Sequence, residues 1–314
     1  MSGPPLTATS YTDPTLFLAA AHRVLEAMPV ESNIIATLTD DVLAGTSPYR
    51  HHLWLTVHRA PAAPDTVVGL AKLTEWGLAT TPLLPPDDQL PPDGSGAEVD
   101  TAEVDTAEVD AAAAAVVAAV RAHGAVVPRV SGVGAVAPAV VRALVADGAE
   151  IAERTNMLVY DLVDLVAPVG VPGRARTAGP DDLDLVTRWL FAFHDEVEHG
   201  GRTDELRSHA VTTVDEGRMM LWVDEDGETV SMSGVRHPAL GLSRVGPVYT
   251  PPERRRRGFA GAVTAAATRR GFELGATRTM LYTDADFPTS NHVYQQLGYR
   301  RRGTASMVVL THPA

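Results

Sequence analysis

The sequence predicts an α/β chain of two domains. Three observations carry this. At 314 residues the chain is long enough for two domains of ordinary size. Strand patterns and helix patterns follow one another in both halves. Between them, residues 165–173 (LVAPVGVPG) hold two prolines and two glycines, the composition of a linker. The expected domains are therefore residues 1–164 and 174–314.

In the first domain, residues 14–28 place Leu16, Phe17, Ala20, Val24, Leu25 and Met28 at helical spacing. Asp13 is the expected N-cap, with Pro14 at the first helical position. Residues 33–43 read as a second helix. Residues 52–58 and 66–73 alternate or run apolar across a Pro- and Asp-containing gap, a strand pair. A further strand is expected over 78–84. Residues 85–96 are loop by composition. The pentamer AEVDT then repeats, so that 85–107 reads as a solvated acidic insertion. Helix (110–123), strand (126–130), helix (135–147) and strand (155–163) complete the domain.

The second domain opens with a strand over 174–178. Two helices follow, over 180–198 and 203–214, the latter with Thr203 as N-cap. Residues 219–223 and 229–236 flank Asp224-Glu225-Asp226-Gly227, a hairpin turn. A short strand ends in Val248-Tyr249. A turn, four arginines and Gly258-Phe259-Ala260 lead into a long helix with Val263, Ala266, Ala267, Phe272 and Leu274 available for its inner face. Strands over 279–283 and 305–310 close the chain.

Composition excludes several classes. Net charge is −13, from 26 basic and 39 acidic residues. That disfavours nucleic acid as partner and suits a cationic amine. There is no cysteine, hence no disulfide, thiolate metal site or cysteine acyl-enzyme. His194 and His199 are spaced i, i+5 on different helix faces, so no metal pair is expected. No apolar run reaches membrane-spanning length, and no secretory pattern opens the chain, which fits the cytoplasm. Lys72 is the only lysine. A homodimer is compatible with all of this.

Strand, tight loop and helix N-terminus make a ready anion site. The first amides of a helix lack internal partners, and the dipole favours negative charge there. Arg255-x-x-Gly258-x-Ala260, directly after a strand, resembles the acyl-CoA pyrophosphate loop of the GNAT acetyltransferase superfamily. Asn291-x-x-Tyr294-x-x-Leu297-Gly298-Tyr299 resembles that superfamily's second motif, in the right order and at the right separation. The sharp resemblance covers about the last third of the chain.

The resemblance implies tandem GNAT-like domains, each a mixed, mostly antiparallel twisted sheet flanked by helices. It implies acetyl-CoA as cosubstrate, no metal, and transfer to an amine by direct attack in a ternary complex. Main-chain groups of Arg255, Arg256, Arg257, Gly258, Phe259 and Ala260 would hold the pyrophosphate. Val248 and Tyr249 would present backbone to the acyl and pantetheine groups, with the Val248 amide as oxyanion donor. Asn291 would bind the pantetheine or the helix end, and Tyr294 would protonate the departing thiolate. A phenol near 10 keeps its proton at neutral pH, which that role needs.

No general base is singled out among His194, Asp195, Glu196, Glu198, His199, His237 and Glu253. Two other readings stay open: a CoA-binding regulator or scaffold without turnover, and Tyr294 as a core tyrosine. The first domain repeats the strand–helix–strand order, but the place matched to the arginine loop reads Ser131-Gly132-Val133-Gly134-Ala135. It is expected to be a degenerate GNAT-like domain without cofactor chemistry, the alternative being an unrelated α/β domain.

Overall fold

The computed structural model describes residues 6–59, 66–85, 105–197 and 203–313. Most of the acidic insertion, with Glu198 and His199, lies outside them. The chain divides into two compact units. The first is Met1–Val159 with Asp284–Asp286 and Arg302–Ala314; the second is Tyr160–Thr283 with Phe287–Arg301.

The first unit contains β1 (Leu6–Tyr11), α1 (Pro14–Ala27), α2 (Asn33–Leu43), β2 (Leu53–Arg59), β3 (Val67–Leu73), β4 (Leu78–Thr80), α3 (Thr106–Ala122), β5 (Arg129–Val133), α4 (Val136–Ala146) and most of β6 (Glu150–Leu162). Strands β1 to β4 pair antiparallel in order, and β4 pairs parallel with β5. Asp13 caps α1 by accepting from the Thr15 amide at 2.8 Å. Phe17, Ala20, Val24 and Leu25 turn inward, while Leu16 stands 61% exposed, one position off the buried stripe.

Two features of this unit depart from the sequence expectation. Strand β1 was not anticipated. Its Thr- and Ser-rich stretch follows two prolines and carries little apolar alternation, and it becomes a strand by pairing Leu6–Tyr11 with Arg59–Trp54. The chain's last strand, β12 (Arg300–Thr311), pairs antiparallel with β5, Ala305–Val309 against Val133–Arg129. Residues 302–314 thus fall in the first unit, although sequence order placed them at the end of the second domain.

Lys72 lies on β3, fully buried. Its Nζ donates to the Leu38 carbonyl at 3.2 Å and sits 3.9 Å from the centre of the Trp54 ring. Burial lowers its pKa to about 7, with Asp41 pulling weakly the other way.

The second unit contains β7 (Arg174–Thr177), α5 (Leu183–Val197), α6 (Thr203–Asp215), β8 (Met219–Val223), β9 (Thr229–Val235), β10 (Leu242–Tyr249), α7 (Phe259–Glu273), β11 (Arg278–Asp284) and α8 (Pro288–Gln296). Strands β7 to β10 pair antiparallel in order, and β10 pairs parallel with β11. One sheet face packs Met219, Leu221, Met232 and Tyr249 against Val186, Trp189 and Leu190 of α5. The other packs Met220, Val235 and Val245 against Val263, Ala266 and Ala267 of α7. Residues 164–173 are irregular but tethered: the Val166 amide donates to Leu297 at 3.0 Å, and Trp222 Nε1 donates to Pro172 at 2.9 Å.

Each unit therefore contains a parallel strand pair joined by a crossover helix: β4–α3–β5 and β10–α7–β11. This corrects the match made from sequence. The counterpart of the arginine loop is the connection from Thr81 to Asp105, not Ser131–Ala135. The latter joins β5 to α4 and corresponds to the β11–α8 connection. A long connection of unfamiliar composition hid the correspondence.

Candidate active site

The site is built on β10. It pairs with β11 only through Leu242–Arg244, against Arg278–Met280. Beyond Arg244 the two parallel strands no longer pair. On its other edge β10 bulges: Val245 faces Val235 and Val248 faces Ser233, so three steps on β10 match two on β9. Gly246 and Pro247 occupy the bulge, where a missing amide hydrogen does least harm to the ladder. Gly234 makes room for it. A Cβ there would stand 3.0 Å from the Gly246 carbonyl oxygen.

After Tyr249 the loop rises to α7. Its N-cap is Gly258, at φ +82°, with no side-chain hydrogen bond capping the helix. The amides of Phe259, Ala260 and Gly261 therefore begin a helix without internal partners. A left-handed residue followed by a helical one aims successive amides at one point, a concavity suited to an anion. Arg256 is also left-handed, at φ +62°.

The arginine side chains do different things. Arg255 is a tether: Nε donates to the Thr250 carbonyl at 2.8 Å, and Nη2 donates to Glu196 at 2.7 and 2.8 Å. Arg254 lies 3.6 Å from Asp224. Arg257 stands over the Phe259 ring at 4.9 Å, and Arg256 is exposed.

Helix α8 lies beside the start of α7; a Cβ on Gly261 would be 3.3 Å from Val293. Asn291 is buried on α8. The ring of Tyr294 meets Tyr299 edge-on, with centres 6.2 Å apart. Tyr299 is pinned by its hydroxyl to Thr268 of α7 at 2.8 Å and Thr279 of β11 at 3.1 Å. Burial, then the neighbouring Tyr299, pushes the Tyr294 phenol above its ordinary range. Burial pushes Tyr299 up to about 12. Gly298, at φ +95°, ends the helix.

Glu196 and His237 are engaged by neighbouring side chains. Glu196 accepts from Arg255, and His237 lies 3.1 Å from Glu216. His194 is half-buried in the last turn of α5, and Asp195 and Glu253 are exposed. Sequence reasoning did not single out His209 of α6. Burial, then Arg236, Arg218 and Arg244, lowers its pKa to about 3, so it stays neutral and accepts protons poorly. It also missed Gly234 and the tyrosine–threonine network, whose signals are contacts between distant segments.

A family profile described as FR47-like protein matches residues 226–309, a span from the β8–β9 turn through α8 into β12. Two solved structures cover nearly all of the chain. A GCN5-related N-acetyltransferase from Sphaerobacter thermophilus has TM-score 0.55 at 17% identity, covering 98% of this chain and 96% of that one. One from Kribbella flavida has TM-score 0.53 at 20% identity, covering 90% and 96%. The chain carries an FR47-like segment within a GNAT fold. Likeness at these identities shows the GNAT fold, and it extends over both units.

Among curated proteins, relatives include the mycothiol acetyltransferase of Paenarthrobacter aurescens (strain TC1), 31% identical over 155 residues, 46% of this chain and 47% of that protein. That of Pseudarthrobacter chlorophenolicus is 30% identical over 154 residues, 45% and 46%. The matches span about half the length of these relatives. Among the described residues, no helix is long and apolar enough to cross a membrane.

Proposed function

We propose that this chain is an N-acetyltransferase that moves the acetyl group of acetyl-CoA onto an amine in a ternary complex. One observation carries it: an uncapped helix N-terminus directly follows a bulged strand that has parted from its parallel neighbour. Those residues fit the cosubstrate. The open amides of Phe259, Ala260 and Gly261, with the main chain of Arg255 to Gly258, would hold a pyrophosphate. The unpaired edge of β10 at Val248 and Tyr249 would accept the amide-rich pantetheine arm. No metal is needed for this reading.

In the reaction the amine nitrogen attacks the thioester carbonyl carbon. The Val248 amide would stabilise the oxyanion that forms. The carbon–sulfur bond then breaks, Tyr294 would give its proton to the thiolate sulfur, and the proton shed by the amine nitrogen passes to solvent, from which the tyrosinate is reprotonated. Its raised pKa keeps that proton in place across the neutral range. The relatives' name, mycothiol acetyltransferase, makes a small-molecule acceptor the first to screen.

The test is calorimetric titration of acetyl-CoA, followed by an amine screen read by free-thiol release. Micromolar binding and thiol release are expected. No detectable binding up to about millimolar acetyl-CoA, roughly a thousandfold weaker than that, would sink the proposal. Gly258→Glu is a poor control, because the left-handed φ penalises any side chain there. Arg256→Glu alters charge at an exposed position instead.

A further inference from the structure

Residues 164–173 run from the end of α8 to the start of α7 and on to the edge of the sheet. Three anchors fix them within the second unit. At one end, the Asp164 carbonyl lies 2.8 Å from where a Cβ on Gly298 would be, and the Val166 amide bonds to Leu297. At the other, Pro172 accepts from Trp222, and Gly173 sits so close to Val223 and Asp224 that a Cβ would come within 2.2 Å of the Val223 carbonyl oxygen. Between them, Val171 Cγ2 stands 3.0 Å from the position of a Cβ on Gly258. The isopropyl group therefore rests on the N-cap of the helix whose amides face the proposed pyrophosphate site.

The strap also presents apolar surface to solvent. Val169 is 97% exposed and Val166 59% exposed, although the segment is held at both ends. Scattered exposed valines need no explanation, but here they are continuous with a residue packed against the anion loop. A ligand whose phosphates sit on the α7 amides must place whatever those phosphates carry on one side or the other of Gly258. One side is Val171.

We infer that residues 166–172 form the outer wall of the cosubstrate site and pack against the adenosine end of acyl-CoA. Val171 fixes the rim and Val169 meets the nucleoside. This rests on the acetyl-CoA reading above. It adds a contact for the nucleotide portion alone, so a donor without adenosine would not use it.

Amide hydrogen exchange of the full chain, read by mass spectrometry, tests this at equal saturation with CoA and with 4′-phosphopantetheine, which lacks the nucleoside. At ten times Kd, CoA should slow the amides of 169–171 about tenfold, while phosphopantetheine leaves them unchanged and slows only the first turn of α7. Equal slowing by both ligands, or none with calorimetrically bound CoA, overturns the strap. Slowing that follows protein concentration instead of CoA assigns the valines to a second copy and also overturns it. Heat without exchange change therefore separates failure of the strap from failure of the acetyl-CoA reading, in which no heat appears.

A variant gives an independent arm. Val171→Asp should weaken CoA about tenfold, the effect of a like charge roughly 12 Å away at surface dielectric, and phosphopantetheine distinctly less. Val169→Ala, at an almost fully exposed position, covers the case in which Val171→Asp unfolds. It should weaken CoA measurably and leave phosphopantetheine unchanged. Identical affinity of Val169→Ala and wild type for CoA would remove the nucleoside contact.

Discussion

The two crossover helices begin in opposite ways. At α3, Asp105 accepts from the Ala107 amide at 3.0 Å, and Glu108 in the first turn pairs with Arg59 at 2.8 Å. The connection leading to it, residues 81–105, carries seven acidic residues and no basic one. At α7, a glycine stands at the N-cap, nothing caps the amides, and four consecutive arginines precede it. The same topological position is closed by its own carboxylates in one unit and left open in the other. On the proposed reading, strand order offers a place for an anion, while the residues at the helix start decide whether one can enter.

The largest test lies at the second motif. Helix α8 carries Tyr294 where α4 carries only apolar residues and Arg142. Tyr294→Phe should lower kcat about a hundredfold, the usual weight of a general acid, with the calorimetric Kd for acetyl-CoA unchanged. An unchanged kcat would reduce Tyr294 to core packing. Because burial raises its pKa, kcat should show no fall assignable to Tyr294 up to pH 10.

The next effect belongs to the first unit. Lys72 has its pKa lowered, so between about 7 and its unfolded value the folded state binds fewer protons than the unfolded one. Stability should therefore rise with pH across that window, the full penalty being present below it. Lys72→Met should flatten the dependence and stabilise by about 2 kcal/mol at neutral pH. It should also leave acetyl-CoA affinity alone. A flat wild-type profile from pH 7 to 10 would contradict the burial argument, and altered affinity would give the first unit a part in the chemistry.

Arg256→Glu makes the open loop more like the acidic one. It should weaken acetyl-CoA about tenfold at low salt, the deficit shrinking as ions screen the exposed charge. Titration of the wild type should show one site per chain; two would erase the contrast drawn above. The smallest effect is Asp105→Ala, which should cost about 1 kcal/mol through the lost cap. It should leave that stoichiometry at one.

Local signals carried most of what was legible. Pro14 after Asp13, the Asp-Gly turn, and glycine at 258 before a helix each fix geometry through neighbours in sequence. Gly246-Pro247 interrupts an apolar strand at the place where β10 bulges. What escaped depends on partners far along the chain. Residues 6–11 become a strand only beside Leu53–Arg59. Tyr299 reads as a packing residue until Thr268 and Thr279 converge on its hydroxyl. Residues 165–173 read as a linker by composition, and no composition reveals that Val171 rests on Gly258.

Strand β12 has a consequence for synthesis on the ribosome. Its residues 305–309 supply the partner of β5, laid down more than 170 residues earlier. A nascent chain can make β1 to β5 and their helices long before that partner exists. Until the last strand emerges, β5 keeps an unsatisfied edge, open to any extended segment that reaches it first. Chaperone demand and misassembly in this protein should therefore concentrate on the half that is translated first.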